Sequence, residues 1–298
     1  NSNIGRFWIK YLNMYKSFSK SQLTQQYSPS SCVEDITIYI NAYIEQSKAA
    51  KEKATKDKLV LADLSYTLHK DTTLDLYLPM DQRPLIASDD AVNNNKKLHV
   101  YIHGGYWQEL SKEESCFAAT NFQAHDCYFA VVNYSLAPNA SLSEIVEQNR
   151  HAIAWLYQHA EHYGYNKNEI YLSGSSAGAH LAIMMLNTDW SKYISGKLLE
   201  ERLTPIKGIC AVSGIYDLTP ITQTYINEPL QLTKAEIFNN SPLLFTMQNA
   251  NATPCKIIIS YGENETSEFK RQSLQFKEKL ITLGYQFKKV SELSKRIV

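Results

Sequence analysis

The stretch Gly174-Ser-Ser-Ala-Gly178 separates two apolar segments, Glu169–Ser173 before it and Ala179–Leu186 after it. Apolar runs on either side of a glycine-rich turn predict a buried strand followed by a helix. Glycine tolerates close backbone approach and unusual dihedral angles, so glycines at both flanks allow a sharp turn. We therefore expect this serine bend (residues 174–178) to expose the hydroxyl of Ser176.

A second glycine-rich turn lies upstream and also follows a predicted strand. The segment Leu98–Ile102 is apolar, and His103-Gly-Gly-Tyr-Trp107 comes directly after it. Backbone N–H groups in this glycine loop (residues 103–107) can face a neighbouring serine and bind a developing negative charge. Both turns together predict a nucleophilic serine, Ser176, beside an oxyanion hole. The amides expected in that hole are those near Gly105 and Tyr106 and that of Ala177.

Strands and helices alternate through the rest of the chain. Strands are predicted at 98–102, 127–134, 169–173, 206–213, 255–261 and 285–290, with helices near 111–125, 141–163, 177–188 and 265–283. Ahead of them, 59–69 and 74–78 alternate as a hairpin. Continuous apolar strands such as Ile257–Ile259 are typical of a parallel sheet buried on both faces. The pattern predicts an α/β-hydrolase fold, with a mostly parallel central sheet and helices on both faces.

The chain has 298 residues, a length that one α/β domain can reach. Residues 1–58 are predicted to form an N-terminal helical extension and residues 59–298 the hydrolase domain. The proline-containing span 190–254 is expected to be a cap-like insertion that forms pocket walls, and 79–97 a polar loop.

We expect a small-molecule substrate and no nucleic-acid or membrane partner, and charge and cysteine content bear on the partners and the compartment. Lys+Arg and Asp+Glu both number 30, so nothing indicates a nucleic-acid surface or an anionic membrane. No apolar run approaches the length of a membrane span. The five cysteines are scattered without metal-type spacing. This distribution favours reduced thiols in a cytoplasmic protein.

A serine nucleophile needs a base and a carboxylate that orients the base. In this fold the acid follows the seventh strand and the histidine the eighth. The predicted seventh strand leads into the acid turn (residues 262–266), where position favours Glu265 and leaves Glu263 as an alternative. Asp217, after the sixth strand, is the runner-up and is more typical of a turn former.

The histidine expected after the eighth strand is absent from this sequence. All eight histidines precede the acid candidates, and His180 is the last of them. We expect His180 to pack or hydrogen-bond near the site and His103 to brace the glycine loop. The sequence predicts a shortened C-terminal end or a protein without a complete triad, whose activity would be doubtful.

The aromatic pair Tyr106-Trp107 follows the glycines of the loop. Aromatic rings there can form an apolar wall for a planar substrate. We therefore predict Trp107 as a substrate-binding residue, with plain core packing as the alternative.

Several motifs together resemble the kynurenine formamidase (arylformamidase) family, over about residues 25–293. They are Tyr27-Ser-Pro-Ser30, His103-Gly-Gly-Tyr-Trp-Gln108, Ser111-Lys-Glu-Glu-Ser115, Gly174-Ser-Ser-Ala-Gly-Ala-His-Leu-Ala182, Ser213-Gly-Ile-Tyr-Asp-Leu218 and Ser267-Glu-Phe-Lys-Arg-Gln-Ser273. The resemblance implies hydrolysis of N-formyl-L-kynurenine to L-kynurenine and formate in tryptophan catabolism. It implies no metal or organic cofactor and is compatible with a homodimer.

By the same resemblance, Ser176 attacks the formyl carbon and the amides near Gly104, Gly105, Tyr106 and Ala177 hold the oxyanion. Glu265 stands where the family usually has aspartate. Two alternatives remain. One is a carboxylesterase of the hormone-sensitive-lipase type, which shares the glycine loop and the serine bend. The other is a hydrolase-like binding protein without catalysis.

Overall fold

A computed structural model describes residues 14–81, 95–195, 204–246, 255–285 and 287–293. The strands are β1 Val60–Ser65, β2 Thr73–Tyr77, β3 Lys97–Ile102, β4 Cys127–Val132, β5 Ile170–Ser175, β6 Ile206–Val212, β7 Lys256–Gly262 and β8 Phe287–Leu293. The α-helices are α1 Lys20–Gln26, α2 Thr37–Lys56, α3 Ala119–Ala124, α4 Leu142–Gln158, α5 Ala160–Tyr163, α6 Ala177–Met184, α7 Asn227–Leu230, α8 Lys234–Asn240 and α9 Ser267–Thr282. Short 3-10 turns lie at Met14–Ser17, Pro29–Cys32, Met185–Asn187, Trp190–Lys192, Pro220–Gln223 and Pro242–Leu244.

The strands form one sheet in the order β1-β2-β4-β3-β5-β6-β7-β8. β2 pairs antiparallel with β1 and with β4, and the pairs from β4 through β8 are parallel. The predicted hairpin and parallel strands are confirmed, and so is the predicted fold class.

Helices pack on both faces of the sheet. The larger core lies on the face covered by α4, α6 and α9, and it includes strand residues such as Val100, Leu172 and Ile259. A smaller cluster on the other face packs Ala50 of α2 and Ala119 of α3 against β4. Burial of these apolar side chains is the main favourable contribution to folding, about 25 cal/mol for each Å² removed from water.

Local sequence signals explain where several helices begin. The Ser141 hydroxyl accepts a hydrogen bond from the Glu144 amide, and the Glu144 carboxylate accepts one from the Ser141 amide. This capping box satisfies amide donors at the first turn of α4. The same arrangement opens α1 at Ser19 and α8 at Thr233.

The structure corrects three predictions. The helix expected near 111–125 begins only at Ala119, because residues 111–115 form turns in which the Ser111 hydroxyl bonds Glu114. The span 190–254 is not one insertion, because it contains β6 at the centre of the sheet. Ile258 is 39% exposed, so within the described residues its face of β7 is not fully covered.

Some predictions fall outside the described residues. Most of the polar loop at 79–97 and the last residues, 294–298, belong to this group. In the part of the chain that the structure describes, no helix combines the length and apolarity that a bilayer crossing requires. The division into an N-terminal extension and a hydrolase domain, and the cytoplasmic location, stay predictions.

Candidate active site

The serine bend joins the end of β5 to the start of α6. Ser176 has φ +56° and ψ −119°, a backbone conformation that residues with a side chain rarely adopt. Its amide donates to the carbonyl of Val212 at 2.8 Å, so the bend is tied to the end of β6. Ser176 is partly exposed. The predicted strand-to-helix bend is therefore confirmed, and its strain is of the kind found at functional sites.

Close backbone contacts explain why glycines flank this serine. A Cβ on Gly174 would overlap the backbone of Gly178. A Cβ on Gly178 would overlap the carbonyl oxygen of Ile102, the last residue of β3. No side chain fits at either position, so the bend depends on both glycines.

The glycine loop lies directly beside the serine. A Cβ on Gly104 would come within 2.8 Å of the Ser175 carbonyl oxygen and 3.5 Å of the Ser176 Cβ. The next residues have positive φ, at +91° for Gly105 and +49° for Tyr106. The structure thus brings the loop backbone to the bend, as the sequence predicted. Ala177 is the first residue of α6. The roles of these four amides as oxyanion donors stay a prediction.

The two aromatic residues of the loop differ in exposure. Trp107 is fully buried, and its indole N–H donates to His180 Nδ1 at 3.2 Å. Tyr106 is partly exposed and donates its hydroxyl to the Tyr27 carbonyl at 2.5 Å. The structure gives the Trp107 ring a packing role, which was the alternative interpretation. Contact of this ring with a substrate, which we predicted from its position, would require the loop to open.

His180 has both ring nitrogens engaged. Nε2 lies 2.7 Å from the carbonyl oxygen of Asn240, so it carries the proton and donates. Nδ1 then accepts from Trp107, which fixes the neutral tautomer. Burial lowers the pKa of His180 to about 4, although the bond to the Asn240 carbonyl opposes that shift. The expectation that His180 packs and hydrogen-bonds near the site is confirmed.

His103 braces the glycine loop, as predicted. Its Nδ1 lies 3.0 Å from the Gly104 carbonyl oxygen, and its ring stacks on Tyr134 with centroids 4.1 Å apart. The Tyr134 hydroxyl donates to the His103 carbonyl at 2.7 Å. Burial lowers the pKa of His103 to about 4. Across the described ranges, no histidine nitrogen lies within hydrogen-bond distance of the Ser176 hydroxyl.

Glu265 lies in the turn after β7, where the sequence predicted the acid. Its Oε1 accepts a hydrogen bond from the Ser213 hydroxyl, while Oε2 is buried and has no partner among the described residues. Burial raises the pKa of Glu265, and the Ser213 bond partly offsets that rise. Ser213 directly follows Val212, which binds the Ser176 amide. The end of β6 thus links the predicted nucleophile and the predicted acid.

The two alternative acids lie in other surroundings. Glu263 is exposed, and its carbonyl accepts from Lys270 at 2.5 Å. Asp217 Oδ1 accepts from the amide of Thr219 at 2.9 Å, an Asx-type turn. The interpretation of Asp217 as a turn former is confirmed.

In the described part of the chain, no cluster of three His, Cys, Asp or Glu side chains is arranged to hold a metal ion.

Sequence reasoning missed three residues that support the site. Ser213 binds Glu265, Gln272 binds the loop after β6, and Tyr27 binds both the glycine loop and α9. The motifs around all three were visible in the sequence. Their contacts join residues from 52 to 241 positions apart in the chain, so no local pattern could assign the partners.

Comparisons with known proteins agree with this geometry. The BD-FAE family model matches residues 74–280. Kynurenine formamidase of Danio rerio is 37% identical over 287 residues, covering 93% of this chain and 89% of the relative. The Salmo salar kynurenine formamidase is 34% identical over 266 residues, covering 88% and 83%. Esterase B of Lactobacillus rhamnosis shares the fold, with a TM-score of 0.63 at 16% identity over 85% of both chains.

The fold and the strained serine bend beside a glycine loop define an α/β-hydrolase. Within this class, the chain is 34–37% identical to two kynurenine formamidases over nearly its whole length. The protein belongs to the kynurenine formamidase family.

Proposed function

We propose that this protein hydrolyses N-formyl-L-kynurenine to L-kynurenine and formate, with Ser176 as nucleophile. The observation that carries the proposal is the approach of the Gly104 backbone to Ser176 at a strained bend. That approach supports an oxyanion hole in a chain 37% identical to a kynurenine formamidase.

The chemistry would proceed in two steps. The Ser176 oxygen attacks the formyl carbon, and the carbonyl oxygen becomes an oxyanion held by amides of the glycine loop and Ala177. The C–N bond then breaks, the aromatic amine leaves with the proton that the Ser176 hydroxyl gave up, and a formyl ester remains on Ser176. Water attacks that ester, which releases formate and restores the hydroxyl. Removal of one oxyanion donor typically costs about 3–4 kcal/mol of barrier.

Glu265 would supply the carboxylate that orients the base. Its unpartnered Oε2 can accept a hydrogen bond from an imidazole N–H, while Ser213 fixes Oε1. No described histidine nitrogen lies within hydrogen-bond distance of the Ser176 hydroxyl, so none of these histidines is placed to serve as that base.

The test compares turnover of N-formyl-L-kynurenine with turnover of a short aryl ester by the purified chain. We expect faster turnover of the formamide than of the ester, and covalent labelling of Ser176 by a fluorophosphonate. Ser176→Ala should lose the turnover and the labelling. Ser173→Ala is the matched control, because its hydroxyl lies 2.6 Å from His99 Nε2 of β3.

Other outcomes identify the alternatives. A large preference for the ester would identify a carboxylesterase. A folded chain that neither turns over nor labels at Ser176 would identify a binding protein.

A further inference from the structure

Residues at the C-terminal end of α1 form hydrogen bonds with separate loops of the candidate site. The helix is anchored, since its capping box is complete and Leu23 is buried. Tyr27, the residue that ends it, has no accessible surface. We define the Gln26–Tyr27 segment by these two residues.

Two consecutive carbonyl groups of this segment bind two different loops. The Tyr27 carbonyl accepts from the Tyr106 hydroxyl of the glycine loop at 2.5 Å. The Gln26 carbonyl accepts from the Thr266 hydroxyl, next to Glu265, at 2.6 Å. Adjacent residues are about 3.8 Å apart in any chain, so these bonds limit how far the two loops can separate.

The Tyr27 side chain extends the connection to a third loop. Its hydroxyl donates to Glu268 at 2.8 Å and accepts from the Gln272 side-chain amide at 2.6 Å. The Gln272 Oε1 accepts from the amides of Tyr216 at 2.5 Å and Asp217 at 2.8 Å. One buried phenol thus reaches the loop that follows β6.

Charge fixes the direction of these hydrogen bonds. Arg271 donates to both oxygens of Glu268, at 2.7 and 2.6 Å, so this carboxylate remains an acceptor. Burial, as the larger cause, and the charge of Glu268, as the second, raise the pKa of Tyr27 well above its usual value. The phenol therefore stays protonated and donates. A buried network whose members are all satisfied is rigid.

We propose that Gln26 and Tyr27 are positioning residues that hold the glycine loop and the acid turn at the separation required by catalysis on Ser176. This inference rests on the proposed function, because it assigns both loops to the same serine. Neither residue needs to contact substrate. A displacement of about 1 Å in a catalytic group can cost up to about a hundredfold in rate.

The first experiment measures the link without any substrate. Tyr106→Phe removes the hydroxyl that binds the segment. Tyr165→Phe is the matched control, because Tyr165 is also a buried tyrosine whose hydroxyl donates to a backbone carbonyl, that of Leu156, at 2.5 Å. Hydrogen exchange by mass spectrometry on the full chain follows amides 103–107. We expect exchange about tenfold faster in Tyr106→Phe and within twofold of wild type in the control. Equal protection in all three proteins would overturn the proposal.

The second experiment separates positioning from simple stability. We expect Tyr106→Phe and Thr266→Val each to lower kcat on the formamide about tenfold, with KM changed less than threefold. Tyr165→Phe should leave both constants unchanged. Loosened loops with unchanged kcat would overturn the positioning role. If the wild-type chain shows no turnover at all, the proposed function fails, while the exchange experiment still decides whether the segment holds the loops.

Discussion

Gly178, in the first turn of α6, lies so close to Ile102 at the end of β3 that any Cβ would overlap the Ile102 carbonyl oxygen. The serine bend and the start of the glycine loop are therefore in direct backbone contact. Their separation cannot be increased without moving a central strand. This contact places the predicted nucleophile beside the predicted oxyanion donors.

We expect Gly178→Ala to lower the free energy of unfolding by about 1–3 kcal/mol, because overpacking forces backbone shifts. Gly208→Ala is the milder comparison, since its Cβ would meet a ring atom of Tyr171 at 3.1 Å and the Lys256 carbonyl oxygen at 3.2 Å, against outright overlap with the Ile102 oxygen at Gly178. Urea unfolding measures both. Equal loss of stability in the two variants would contradict the backbone contact.

Ser176→Gly should stabilise the protein by about 1 kcal/mol, because glycine adopts φ +56° without the strain that serine bears. Ser175→Gly should instead destabilise it by about 0.5–1 kcal/mol, since glycine weakens a strand. Thermal unfolding of both variants gives the comparison. A strained bend is not supported if Ser176→Gly unfolds at a lower temperature than wild type.

Glu265→Gln should slow turnover by about a hundredfold or more, because a neutral amide orients the base poorly. Glu265→Asp should retain most activity, since aspartate is a carboxylate as well. Glu263→Gln is the control, with an exposed side chain and an expected change below twofold. Labelling rates of Ser176 provide a second measurement. If Glu263→Gln is the slower variant, the acid assignment is reversed.

Acid should destabilise the fold between pH 6.5 and 4. Burial lowers the pKa of His103 and His180 to about 4 in the folded state. Unfolded histidines titrate near 6.5, so the unfolded state binds more protons in this window. Each neutral imidazole makes its full contribution to the free energy of unfolding above pH 6.5. That contribution is lost as pH falls towards 4, by up to about 1.4 kcal/mol per pH unit.

Urea unfolding between pH 7 and pH 4 measures this slope. His180→Gln should reduce the slope by about the uptake of one proton on unfolding. A slope that is the same in His180→Gln as in wild type would show that His180 is not held neutral.

Glu268→Gln should cost about 3–5 kcal/mol, because Arg271 would remain buried without its charge partner. Glu52→Gln, in the exposed pair with Lys48, should cost no more than about 0.5 kcal/mol. Comparable losses in the two variants would contradict the burial of the Arg271–Glu268 pair.

The sequence predicted those parts of the candidate site that depend on short-range geometry. The flanking glycines of Ser176 and the apolar runs around them are local features, and local sterics determine a sharp bend. The position of Glu265 followed from strand order. The same reasoning placed a helix too early at residues 111–118, because it could not detect the turns that Ser111 forms with its neighbours.

Trp107 shows why some roles could not be predicted. Its place after the glycines favoured a pocket wall, yet the ring is buried against His180. A side chain's direction depends on the positive φ of the loop and on the helix packed behind it.

The sequence by itself determined the order of strands and helices, the serine bend and the glycine loop, because apolar periodicity and glycine sterics act over a few residues. Only the tertiary structure decided that Tyr27 binds Tyr106 and Gln272, that Ser213 binds Glu265, and that His180 is neutral. Those contacts join residues far apart in the chain, and hydrogen bonding and burial exist only after the sheet and its helices have packed.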